Sequence, residues 1–145
     1  NNVLILQVPG YVTILNEHIH NTRVIPITDQ PHGDLRQWSG NSRGHWDGET
    51  LVVETRNFRQ ATNFSGSSSD TQLVERFRRV DPDTVMYEFT IADPNNYTRP
   101  WTAAIPMRRT DGPLFEYACH EGNYGLTGIM AGARKLNTQA VEGSR

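Results

Sequence analysis

The chain has 145 residues, the size of one domain, and folding on that scale buries roughly two-thirds of the extended surface. A formal net charge of −2 gives no global basic field, which argues against nucleic acid as a partner. No apolar run reaches the ~18 residues that a membrane-spanning helix needs.

Hydrophobic residues make up only 36% of the chain, but three Trp, five Phe and five Tyr are enough to anchor a core. The cations are almost all Arg, with Lys135 the one lysine. Arginine suits bidentate carboxylate or phosphate recognition, although codon bias gives the same skew. No signal peptide is visible. Asn1 is followed at once by VLILQV, which reads as mid-domain strand, so a processed or truncated product is expected. Cys119 stands alone, which excludes a disulfide within these residues and leaves a buried small hydrophobe as its plain reading.

In chain order, VLILQVPGYVTILNE predicts two strands around a type II turn at Pro9-Gly10. Residues 18–28 continue as a third strand, with Arg23, Ile25 and Ile27 on one face and Pro26 marking an edge or an end. Residues 29–40 are loop. SRGHWDGETLVVETRNF is a hairpin with a type I′ turn at Asp47-Gly48, its second strand pointing Leu51, Val53 and Thr55 one way. Residues 59–71, with Ser65 to Ser69 at their heart, form a loop.

Gln72 to Val80 is a charged strand, and Asp81-Pro82-Asp83 turns the chain. Thr84 to Ala92 alternates cleanly, with Val85, Tyr87, Phe89 and Ile91 inward. Trp101 to Arg109 is the next strand, and Asp111-Gly112-Pro113 turns it into LFEYAC. After His120, four glycines weaken the helical spacing of Leu126, Ile129 and Met130, so a short, poor helix follows. The expectation is a mainly β domain over residues 1–135 with a polar tail over 136–145. Its antiparallel meander of eight or nine strands closes as a barrel or packs as a strongly bent sheet.

His18 and His20 stand two apart, on one face of a strand, and can chelate zinc or copper if His32, His120 or Glu121 comes near. Two solvated polar side chains are the simpler reading, and His45 is a further imidazole without a motif. Cys119 and His120 point to opposite faces of a regular strand and make no nucleophile–base pair there. Arg76, Arg78 and Arg108 form an anion-binding patch if their strands meet, with cross-strand ion pairing the cheaper explanation. Trp46, Tyr87, Phe89 and Trp101 line an apolar ligand cavity if one exists. The serine run lacks a nucleophile elbow, so a serine hydrolase is not expected.

The stretches GHWDGETLVVETRNF, LVERFRRVDPDTVMYEFTIADPNNYTRPWTAAIPMRR and FEYACHEGNYG together resemble a family of uncharacterised exported bacterial proteins. These are abundant in soil and environmental genomes, especially acidobacteria. The resemblance covers nearly all of Val3 to Arg134. It implies export to the periplasm or beyond, and a longer precursor with an upstream PDLSGVW-like segment. An upstream cysteine in many members implies a disulfide to Cys119 in the intact protein. Asp29-Gln30-Pro31-His32 departs from the commoner D-G-R-P-H of the family, and no catalytic residue carries over.

The first expectation for function is a non-catalytic β domain that binds or self-assembles, pairing edge strands with a second copy or taking an extracellular ligand. Val3 to Val8 or the Pro26 strand is the expected contact. The alternatives are a metal-binding protein or metal-dependent enzyme using His18, His20, His32 and His120 with Glu121, and a carrier of a small apolar ligand.

Overall fold

The antiparallel meander expected from the sequence is present, but it splits into two sheets and does not close as a barrel. The computed structural model describes residues 2–60, 66–116 and 124–142, with helix side chains described as far as residue 136. The first sheet runs β1 (Val3–Val8), β2 (Tyr11–Asn16), β3 (Thr22–Pro26). The second runs β4 (Asn41–Asp47), β5 (Thr50–Arg56), β6 (Gln72–Asp81), β7 (Thr84–Ala92), β8 (Trp101–Arg108). Spatial order follows chain order throughout, as tight turns require.

Three of the turns show how sequence sets the register. Val8 pairs with Tyr11 around Pro9-Gly10, and Gly10 takes the positive φ of +80° that a type II turn demands at that place. Asp81 pairs with Thr84, and the Asp81 carboxylate accepts the Asp83 amide at 2.8 Å. The central hairpin turns one residue later than expected. Asp47 pairs with Thr50, so the loop is Gly48-Glu49, and of the two only Gly48 has positive φ, at +58°. That is the demand of a II′ turn, with glycine first, and not of the type I′ turn read at Asp47-Gly48.

Two further expectations change. Residues 18–20 are a single 3₁₀ turn and not strand, with Ile19 and His20 at φ of 53° and 48°. The reversal is held by the amide of Asn16, which donates to the Asn21 carbonyl at 2.9 Å. Strand β3 therefore begins only at Thr22, and it stops at Pro26, where the missing donor ends it. Leu114, Phe115 and Glu116 are not strand, and the rest of the expected ninth strand, residues 117–119, lies outside the described residues.

The chain divides into two compact units, Asn1–Phe115 and Glu116–Arg145. The second holds helix α1 (Gly125–Glu142), which runs past Leu136, where a frayed tail was expected. After Gly132 the sequence ARKLNTQAVE has no glycine or proline to interrupt it, and good helix formers carry the extra turns.

Within the first unit the two sheets pack inner face to inner face. Val12 and Ile14 of β2, Ile25 of β3, Leu51 and Val53 of β5 and Phe77 of β6 form the core, with Ile27, Val85, Tyr87 and Met107 at its margin. Among the described residues the sheets meet edge to edge where Ile27 bridges Gly44 in parallel and the Thr28 amide donates to the Gly44 carbonyl at 3.0 Å. A Cβ on Gly44 would stand 2.8 Å from Ile27 Cδ1, so a side chain there would hold the sheets apart.

Candidate functional site

Register places the inner face of the second sheet in transverse rows. One row is Trp46, Leu51, Phe77, Tyr87 and Ile105; the next is Gly44, Val53, Glu75, Phe89 and Ala103. Glu75 is thus committed to the interior by the same parity that buries Phe77, and it is 2% exposed. Arg23, inward on β3 beside Ile25, answers it across the sheets through two parallel bonds of 2.6 and 2.9 Å. The Tyr87 hydroxyl donates to the same carboxylate at 2.9 Å. Burial first, and then the adjacent Glu75 charge, push the Tyr87 phenol well above its ordinary pKa. The two Glu75 oxygens thus accept three bonds, and the triad ties the two sheets together.

A second polar knot closes the end of β7. Buried Asp93 accepts from the Ser68 amide at 2.5 Å, the Ser68 hydroxyl at 2.8 Å, the Thr71 hydroxyl at 3.0 Å and the Asn96 side chain at 2.8 Å. Burial works to raise its pKa, but the bonds from Asn96, Ser68 and Thr71 outweigh it and hold the carboxyl far below the usual range. A carboxyl depressed by folding contributes stability above its unfolded pKa of about 4 and loses it as pH falls through the folded value. Asp93→Asn is therefore expected to lower the urea midpoint at neutral pH. It should also flatten the loss of stability of the native chain between about pH 4 and pH 2. Midpoints measured across that range check both halves.

Of the histidines read as ligands, those described do not all lie on one element. His18 and His20 are exposed on the 3₁₀ turn, whereas the His32 ring nitrogen Nε2 meets the Glu54 carbonyl at 3.0 Å on β5. Among the described residues no three His, Cys, Asp or Glu side chains group to hold a metal. His120 and Glu121 lie outside the described residues, as does Cys119. His45 is exposed on β4.

The arginines behave as the ion-pairing alternative predicts at one position. Arg76 bonds Asp47 at 2.6 Å across the outer face. Arg78 pairs in register with Met86 and Arg108 with Thr84, in different rows of a sheet where β7 lies between them. Glu75, next to Arg76 in β6, is turned to the opposite face, where it bonds Arg23.

Three of the four supposed cavity residues stack on one another. The ring centroids of Phe77 and Tyr87 are 4.8 Å apart, those of Tyr87 and Phe89 5.5 Å, and Trp101 meets Phe89 edge-on at 5.6 Å. Trp46 lies elsewhere, half exposed, in a dent with Gln7, Val8, Pro9, Gly10 and Ile27.

What remains unmatched is an edge. All six residues of β1 are exposed, among them Val3, Leu4, Ile5, Leu6 and Val8, and the strand carries neither charge nor proline. The Glu17 amide donates to the Asn2 carbonyl, and Val8 faces Tyr11 across the tight turn. In an antiparallel ladder bonded pairs alternate, so Asn2, Leu4, Leu6 and Val8 bond to β2. The amides and carbonyls of Val3, Ile5 and Gln7 then point away from the sheet.

The other free edge, β8, is different. The Arg109 amide donates to the Asp83 carbonyl at 2.7 Å, so by the same alternation Arg108, Pro106, Ala104 and Thr102 turn outward. Pro106 removes the donor at the middle of that row, a recognised way to blunt an edge. Strand β1 carries no such guard.

No family model matches the chain, and no curated protein or solved structure matches it.

Proposed function

We propose that the protein is a non-catalytic binding and assembly domain that works by accepting a strand at the open edge of β1. One observation carries the reading: a six-residue, uncharged, exposed edge strand beside a second edge that is guarded by proline. Strand addition gains main-chain hydrogen bonds along the row of Val3, Ile5 and Gln7, and apolar contact from the side chains that alternate with them. The incoming strand comes from a second copy or from another extended chain. Export to the periplasm or cell exterior follows from the family resemblance, and an unguarded apolar edge suits a compartment where a dedicated partner meets it early.

Ile5→Pro removes an outward donor without touching the ladder to β2, and Leu6→Lys keeps every donor while guarding the edge with charge. Native protein is expected to show concentration-dependent association by sedimentation, or protected Val3, Ile5 and Gln7 amides in material purified from its source. Both variants should weaken the association by about tenfold or more in the dissociation constant. Association that survives both substitutions, or edge amides that exchange freely under every condition, overturns the proposal.

A further inference from the structure

The reading of β1 as a receiving edge says nothing about which way the guest strand runs, and the two ends of the edge are chemically unlike. Toward its C-terminal end, Gln7 and Val8 border the dent that holds the exposed indole of Trp46. Toward its N-terminal end, Asn2 to Ile5 form one wall of a groove of about 910 Å³. The opposite wall comes from the β6–β7 turn and the end of β8. Val3, Ile5, Val85 and Met107 give this groove apolar surface; Arg79, Arg108, Arg109 and Asp83 line it as well, and Arg108 and Arg109 also border an adjoining dent with Asp81, Asp83 and Asp111.

Those cations are not equally engaged. Arg109 stands 3.9 Å from both Asp83 and Asp111. Arg108 lies in the field of Asp81, whose pKa is lowered first by the Asp83 amide and also by that arginine. Arg79 has no ion-pair partner among the described residues. It sits on β6 opposite Val85, one row beyond Phe77, at the open end of the inner face. An extended chain laid along β1 therefore ends beside positive charge if it runs one way and begins there if it runs the other. The two directions are not equivalent, because a peptide carries its own negative charge at its C-terminus and positive charge at its N-terminus.

We infer, building on the reading of β1 as a receiving edge, that the guest is an extended peptide segment that pairs antiparallel to β1 and delivers a C-terminal carboxylate to Arg79 and Arg108. Antiparallel pairing runs the guest from the Trp46 dent to the arginine groove, so its early residues meet the indole and its last meets the guanidinium groups. A parallel guest would bring an ammonium to the same arginines. Main-chain bonds to Val3, Ile5 and Gln7 supply sequence-tolerant affinity. The arginines supply the requirement for a free end, since charge-assisted bonds to a carboxylate are the stronger kind and an amide cannot make them.

The probe is an N-acetylated peptide of about seven residues alternating valine and threonine, long enough to cover β1, prepared as the free acid and as the C-terminal amide. Each is titrated into isotopically labelled full chain, and the amides of Val3, Ile5 and Gln7 are followed by NMR. The acid is expected to bind about tenfold more tightly than the amide, with the advantage shrinking as salt is added. Arg79→Gln and Arg108→Gln should each erode that advantage and leave the affinity for the amide unchanged, a split that general destabilisation would not produce.

Equal binding of acid and amide overturns the carboxylate assignment while the receiving edge stands. So does tighter binding of a control peptide with a free N-terminus and an amidated C-terminus. Failure of every peptide to perturb the β1 amides, in a chain whose NMR spectrum shows it folded, overturns both readings.

Discussion

Glu75→Ala is expected to destabilise the protein by about 3–5 kcal/mol, because it leaves the Arg23 guanidinium buried against the core without its anion. The pair is 14% and 3% exposed at its two side chains, and its bonds of 2.6 and 2.9 Å are parallel and bidentate. Solvent cannot enter to replace the lost carboxylate, which separates this pair from surface ion pairs such as Arg36 with Asp70, worth at most about 1 kcal/mol. Arg23→Ala should cost a similar amount for the converse reason. Tyr87→Phe removes one of three bonds to Glu75 and should cost only about 1 kcal/mol. Equilibrium urea unfolding of the three variants checks the order. Indistinguishable midpoints for Glu75→Ala and Tyr87→Phe would show that the guanidinium escapes to water, and that the triad does not join the sheets.

The second large effect is expected at Gly40, where the loop over residues 29–40 enters β4. Its φ of +71° lies in the left-handed region, where a Cβ costs roughly 1–2 kcal/mol. An added Cβ would also stand 2.6 Å from the Thr55 methyl and 2.9 Å from the Arg56 carbonyl oxygen. The second contact is with backbone inside the β5 ladder, so relief requires the strand itself to shift. Strain of that kind costs about 1–3 kcal/mol more. Gly40→Ala should therefore lose about 2–5 kcal/mol in total, measured by denaturant unfolding. Gly33→Ala is the control, since it has nothing within 4 Å and no positive φ. A Gly40→Ala protein as stable as the control would mean that the entry to β4 re-forms around the methyl.

Strand positions and inward faces were legible because alternation is a local property. Val85, Tyr87, Phe89 and Ile91 fall on one face of β7, and Arg23 shares a face with Ile25. The parity of LVERF already placed Glu75 with Phe77, and with Arg23 it held the signal of a buried pair. What sequence could not supply was that β3 and β6 would face each other, because the two residues are 52 apart and sheet packing has no local code. The strand expected through His18 and His20 did not form for the opposite reason: a local reversal at Ile19 broke the alternation on which the shared face depended. Asp93 was invisible because three of four partner groups come from Ser68 and Thr71, on the far side of the β6–β7 hairpin in sequence, and only Asn96 is near. The edge of β1 was legible as apolar strand, and its exposure became plain only once β2 and β3 were seen to lie on one side of it.

The nearest-neighbour order of the strands also dictates how the chain must find this structure. Most ladders close a hairpin or a short connection, the β5–β6 pair alone being joined through the longer segment 57–71, so each sheet can zip largely from its own turns. Joining the sheets is the longest-range step among the described contacts of the core, and it must bring Arg23 to Glu75 across a sequence separation of 52. Until that happens, Arg23 and Glu75 are ordinary hydrated charges. Docking strips water from both at once, which ties the slowest search in folding to the most demanding desolvation in the core.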